Sequence, residues 1–210
     1  PDMGSALTLI CLPLVLLVFT GHLRKILIIG AIFLGLAIPL ESKFLKPYQR
    51  QRFATFINPY KDPQGAGYNV IQATIAVGSG GIFGKGVKLG TQSHLNFLPE
   101  RHTDFIFASF VEEFGLVGAT FLLTAYFIIF RTCLLSGKTQ KESQASLLSL
   151  SIFTIIAFQT VVNVGMNLGV MPVTGITLPL FSYGGSSLLS FAILIGLQLR
   201  QLDLITPFEI

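Results

Sequence analysis

The 210-residue chain has no tryptophan, only two cysteines and little charge. Charged residues make up 11% of it, less than half the roughly 25% of a soluble domain. So few ionic side chains exclude an ordinary water-covered globule. Cys11 and Cys133 lie within or at the edge of apolar runs and read as small hydrophobes, which leaves no disulfide framework and no cysteine metal site. Without tryptophan the usual aromatic belt of a membrane protein is weakened. No nucleic-acid motif, internal repeat or signal peptide is present. The net charge of +4 suits anionic lipid head groups or phosphate-bearing substrates. An apolar run follows Pro1-Asp2-Met3 almost at once, so the chain is expected to be the later part of a longer protein.

Apolar sequence is plentiful: 51% of residues are hydrophobic, with 19 phenylalanines, and the mean hydropathy is +0.71. Five runs approach the roughly 20 apolar residues that cross a bilayer, at about 4–21, 24–40, 114–135, 146–170 and 186–206. The expected fold is an all-α polytopic membrane protein forming a single membrane domain over 1–210. Short basic connectors at 21–25 and 131–143, and the end of the last span at Arg200, fall on one side if the runs alternate. The positive-inside rule makes that side cytoplasmic and puts the long segment 41–110 on the extracytoplasmic side. That segment carries Lys43, Lys46, Arg50, Arg52, Lys61, Lys85, Lys88 and Arg101, against the rule, but the rule weakens for long loops.

The long segment is not expected to be disordered. Asn58-Pro59-Tyr60-Lys61-Asp62-Pro63 is turn chemistry. Residues 70–83 are apolar but short and glycine-broken, which predicts an interfacial or re-entrant helix. MPVTGITLPLFSYGG, 171–185, is too rich in proline and glycine for a regular helix. Irregular backbone at membrane depth must be buried in protein or line a wet cavity, so it is expected to shape a pocket on the side of 41–110.

Ionisable groups concentrate beside the third run. GSGGIFGKG, 78–86, fails as a P-loop and as a dinucleotide fingerprint, because Ser79, Gly86 and Phe83 stand where other residues are required. It predicts a flexible turn, with the further prospect of a backbone anion nest where Lys85 meets a phosphate. Glu100, His102 and Asp104 alternate, so in an extended chain they would point one way, with His94 nearby. One His-x-Asp pair is poor zinc chemistry; carboxylates suit Mg²⁺ or Mn²⁺, with substrate phosphates completing the shell. The competing reading is a solvated loop in which Thr103 or Asp104 caps the following helix. Glu112 and Glu113 fit helix-start electrostatics. Gln159, Asn163 and Asn167 share one helix face, either bonding across helices or lining a groove.

GAGYNVIQATIAVGSGGIFGKG, GTQSHLNFLPERHTDFIFA, EEFGLVG and MNLGVMPVTGITLPLFSYGGSS resemble the SEDS family of RodA, FtsW and SpoVE. LPERHTDFIFA, with YQRQRF before it, is worded more like RodA than FtsW. The match runs through the chain in order and corresponds to the C-terminal half of a ten-span protein. The resemblance implies a peptidoglycan glycosyltransferase of the bacterial inner membrane. Such an enzyme polymerises lipid II with a class B penicillin-binding protein, for elongation and cell shape. It implies that Asp104 is the catalytic carboxylate. Arg101, Lys85 and Lys88 are then candidates for the substrate diphosphate, and Glu100 and His102 for cation or polar support. A lipid II flippase and a non-catalytic scaffold for the penicillin-binding protein are the other classes this architecture admits.

Overall fold

The computed structural model describes residues 3–19, 21, 47–65, 67–95, 97–139 and 143–205. The expected span 24–40 lies outside the described residues. Those described are all-helical: α1 Met3–Phe19, α2 Pro47–Ile57, a 3₁₀ turn Pro59–Lys61, α3 Tyr68–Gly80, α4 Thr91–His94, α5 Ile106–Thr139, α6 Ser143–Asn167 and α7 Gly185–Ile205. Ile106–Gly137 and Gln144–Asn167 are long and apolar enough to cross a membrane, and Gly4–Phe19 is a shorter apolar helix.

α5 shows why these residues form a long apolar helix. Phe107, Val111, Ala119, Leu122, Tyr126 and Cys133 fall three, four or about seven residues apart and form one buried face. That face packs on Ile152 and Ile156 of α6, on Leu178 of the irregular segment before α7, and on Phe191 of α7. The opposite face exposes Leu116, Val117, Phe121, Phe127 and Ile128, a contiguous apolar surface suited to lipid rather than water. Polar residues tie the bundle as well: the Ser149 hydroxyl donates to Gln201 Oε1 and lies 3.3 Å from Ser136 Oγ. Such bonds hold apolar helices together where burial alone gives little preference for a protein neighbour over lipid.

The helix that carries the third expected run, 114–135, starts before that run. The helix begins at Ile106 and is broken at Gly115, where φ is 65° and ψ −161°. A break leaves carbonyls orphaned before it and N–H groups orphaned after it. The glycine turn after α3 satisfies both sets. Lys85 and Gly86 donate to the carbonyls of Glu112 and Glu113 at 2.9 and 3.0 Å, and Leu116 and Val117 donate to Gly81 and Ile82 at 2.9 and 3.1 Å. Two backbones this close leave no room for a side chain: a Cβ on Gly115 would lie 2.3 Å from Gly84 N, and one on Gly84 would lie 2.1 Å from Glu113 O. The expected flexible turn is therefore a fixed clasp. The expected anion nest does not form either, since Gly84, Lys85 and Gly86 spend their N–H groups on carbonyls.

The expected helix at 70–83 runs from Tyr68 to Gly80 and lies against α5, with Ala73 and Ala76 packed on Phe105 and Ala108. Segment 171–184 is irregular, as its composition predicts, and returns under the loop before α5.

Candidate active site

Residues 99–105 form a turn leading into α5, and two neighbouring elements hold its carbonyls. α6 supplies Asn163 and Asn167, four residues apart and both fully buried. Their amide nitrogens donate to the carbonyl of Asp104 at 2.9 and 3.0 Å. Asn163 also donates to Ile176 O at 2.8 Å, and Asn167 Oδ1 accepts from Ala108 N at 3.0 Å. That last bond satisfies a first-turn N–H of α5, the service an N-cap usually gives from within its own helix. The irregular segment adds Ser182 Oγ to Thr103 O at 2.7 Å and Tyr183 N to His102 O at 2.8 Å. The carbonyls of 102, 103 and 104 are thus each fixed by a side chain or backbone group distant in sequence. Gln159, half-buried one turn earlier, takes no part in these bonds. Asp104 is half-buried, with its carboxylate facing Gly175, where a Cβ would sit 3.8 Å from Oδ2.

The expected alignment of Glu100, His102 and Asp104 along an extended strand is replaced by a compact turn. Glu100 has φ 51°, its carbonyl accepts from Thr103 N and Phe105 N, and its carboxylate accepts from Thr103 Oγ1 at 2.8 Å. Thr103 therefore closes the turn. His102 is exposed and its Nε2 faces Arg101 Nε at 3.1 Å. Arg101 also donates from Nη1 to the Ser93 carbonyl. Two open clefts flank the turn. One of about 500 Å³ is lined by Pro99, Glu100, His102, Thr103 and Tyr183. The other, of about 250 Å³, is lined by His94, Arg101, Ser109, Phe110 and Glu113. Asp104 lines neither.

The basic candidates part company. Lys85 Nζ lies 2.8 Å from the fully buried Glu112 carboxylate. Lys88 is exposed at φ 64°, and its backbone N–H reaches Glu113 Oε1 at 3.3 Å. Helix-start electrostatics does not account for Glu112 and Glu113: they sit at the C-terminal end of the segment before the Gly115 break. Glu113 meets His94 Nε2 at 2.7 Å instead. Sequence patterns missed this pairing because Lys85 and Glu112 are 27 residues apart. The one signal was a carboxylate on an otherwise apolar helix face. Among the described residues no group of three or more His, Cys, Asp or Glu side chains is placed to hold a metal ion.

The family model for FtsW, RodA and SpoVE, described as cell cycle protein, matches residues 1–203. The chain is 41% identical over 190 residues to the peptidoglycan glycosyltransferase MrdB of Escherichia coli K12, covering 90% of this chain and 51% of that protein. It is 44% identical over 177 residues to the peptidoglycan glycosyltransferase RodA of Treponema pallidum, covering 82% and 40%. A solved chain from a peptidoglycan synthase complex that coordinates polymerization and crosslinking matches all of this chain and 57% of its own length, with a TM-score of 0.73 and 40% identity. The chain spans about half the length of the curated relatives it matches.

Proposed function

The chain belongs to the FtsW, RodA and SpoVE family, and from that premise we propose that its protein is a peptidoglycan glycosyltransferase. It polymerises lipid II into glycan strands for wall elongation and cell shape. The relatives' shared activity supports the reaction class. The observation that carries the site is the grip on Asp104, whose carbonyl takes two bonds from fully buried amides. A general base must be held in place before its substrate arrives, and a backbone fixed at Asp104 supports that reading.

In the proposed reaction an acceptor sugar hydroxyl attacks the anomeric carbon of the donor. The new C–O bond forms as the bond to the diphosphate breaks, and the diphosphate leaves with the bonding pair. Asp104 accepts the hydroxyl proton. Arg101 and Lys88 offset charge growing on the leaving group; Lys85 contributes less, because Glu112 neutralises it. Glu100 and His102 give polar support along the wider cleft. A divalent cation, Mg²⁺ or Mn²⁺, is part of the proposal: Asp104 would help to hold it, and it would supply charge compensation for the leaving diphosphate. Among the described residues no cluster of three or more His, Cys, Asp or Glu side chains stands ready to hold it without substrate.

The proposed setting is the bacterial cytoplasmic membrane, crossed several times, with 41–110 on the extracytoplasmic side. A class B penicillin-binding protein is the proposed partner, in keeping with the synthase complex that the fold matches. A flippase reading draws less support: it needs polar groups available near the midplane, whereas Asn163 and Asn167 are committed to the loop.

The test is Asp104→Asn and Asp104→Ala in the full-length protein with its partner, given lipid II in detergent. Both variants should fold and lose polymerisation by about 10²-fold or more, the scale of a lost general base. Glycan synthesis by Asp104→Asn at the wild-type rate would remove Asp104 from the chemistry. Detergent has no two sides, so transport cannot pass for polymerisation.

A further inference from the structure

We infer that Glu112 is a positioning residue for the proposed transfer: its buried carboxylate anchors residues 91–93 and, through the Ser93 carbonyl, fixes Arg101 beside the Asp104 loop. The inference rests on the reading of that loop as the reaction site. Glu112 is fully buried, yet both of its carboxylate oxygens are satisfied by donors. Oε1 accepts from Lys85 Nζ at 2.8 Å, Gln92 N at 2.9 Å and Thr91 Oγ1 at 3.2 Å, and Oε2 accepts from Ser93 N at 3.0 Å. Only a carboxylate offers acceptors on both of its ends; a glutamine would turn an N–H₂ toward one set of donors. Gly90 leaves the space, since a Cβ there would lie 2.7 Å from Oε2.

Ser93 is the hinge of the arrangement. Its N–H is held by Glu112 and its carbonyl by Arg101 Nη1. Glu113 grips the same segment from the cleft side through His94 at 2.7 Å. The helical stretch from Ile106 to the Gly115 break is a rigid spacer between the two ends of the device. Eight residues separate Asp104 from Glu112, about 12 Å at helical rise. Arg101 is therefore positioned from both sides. Its own backbone lies in the turn held by α6 and 182–183, and its guanidinium lies on a peptide held by Glu112.

A role in stability alone predicts something different. A buried ion pair replaced by apolar residues of similar size often leaves a protein as stable as before. Positioning would still be lost, because Gln92 and Ser93 would have no anchor. The full-length protein with its partner is compared as wild type, Glu112→Gln, Arg101→Ala, the double variant, and the apolar pair Lys85→Met with Glu112→Leu. Three quantities are read: lipid II polymerisation, thermal midpoint, and amide exchange over 91–103. Glu112→Gln should lose about 10²-fold in rate, as for a misplacement of about an ångström. Its amides at 92 and 93 should exchange faster. The double variant should be no slower than Arg101→Ala, since one acts through the other. The apolar pair should recover the midpoint but not the rate. Multiplied losses in the double variant, or a rate that recovers with the midpoint, would overturn the inference. Amide exchange reads the anchor without activity. A fully active Asp104→Asn would therefore refute the transfer reading, while unchanged exchange in Glu112→Gln would refute this one.

Discussion

Asn167 is the side chain on which the candidate site turns most directly, and replacing it tests the geometry. The residue is fully buried and makes three kinds of bond: Oδ1 accepts from Ala108 N at 3.0 Å, and Nδ2 donates to Asp104 O at 3.0 Å and Asn163 O at 2.8 Å. Asn167→Ala leaves the Ala108 N–H without its acceptor in a dry setting, which costs about 1–3 kcal/mol. The Asp104 carbonyl keeps Asn163 at 2.9 Å and so is not orphaned. The expected loss is about 2 kcal/mol of stability, with a larger effect on turnover if the proposed catalytic loop loses one of its two amide clamps. Asn167→Asp separates this from simple packing. It preserves size and still accepts from Ala108, but it sets a carboxylate against the carbonyls of Asp104 and Asn163. A buried charge facing acceptors costs more than a missing amide. The expected order of stability is wild type, then Ala, then Asp, measured as the fraction of full-length protein left monodisperse after heating. Polymerisation per folded molecule should fall in the same order. An Asn167→Asp protein that melts and polymerises like wild type would refute the claim that these amides donate to the loop.

Gly115→Ala should destabilise the protein by about 1–3 kcal/mol from backbone conformation alone, because φ 65° with ψ −161° is essentially closed to other residues. Gly196→Ala, on a helix with nothing within 4 Å of its added Cβ, is the control and should be neutral or slightly stabilising in the same melting assay. Cysteine at exposed Lys61 should react with a membrane-impermeant thiol reagent in spheroplasts while one at exposed Gln144 should not, in a background without Cys11 and Cys133; the reverse pattern would invert the topology. Polymerisation should fall in a chelator and return with Mg²⁺ or Mn²⁺. Full activity in excess EDTA would leave Arg101 and Lys88 to carry the leaving-group charge.

Fold class was legible in the residues themselves. Apolar runs at 146–170 and 186–206 become α6 and α7 within a few residues, and the Pro/Gly-rich 171–185 stays irregular. Period and run length are local properties, and local chemistry determines them. The candidate role of Asp104 came from the family resemblance carried by the wording around it, and the structure adds only how its backbone is held. The kink at Gly115 was not: a lone glycine in an apolar helix reads as a tolerated weak point until the turn at 81–86 is found bonded across it. Nor were the pairing of Lys85 with Glu112, the tether from Arg101 to Ser93, or the reach of Asn163 and Asn167 across to Asp104. Each joins groups 8 to 63 residues apart. An isolated chain holds many possible partners for each charge and amide. Only packing α3, α5 and α6 together removes the water that would otherwise serve those groups, and a buried polar group must then take the partner the fold brings to it.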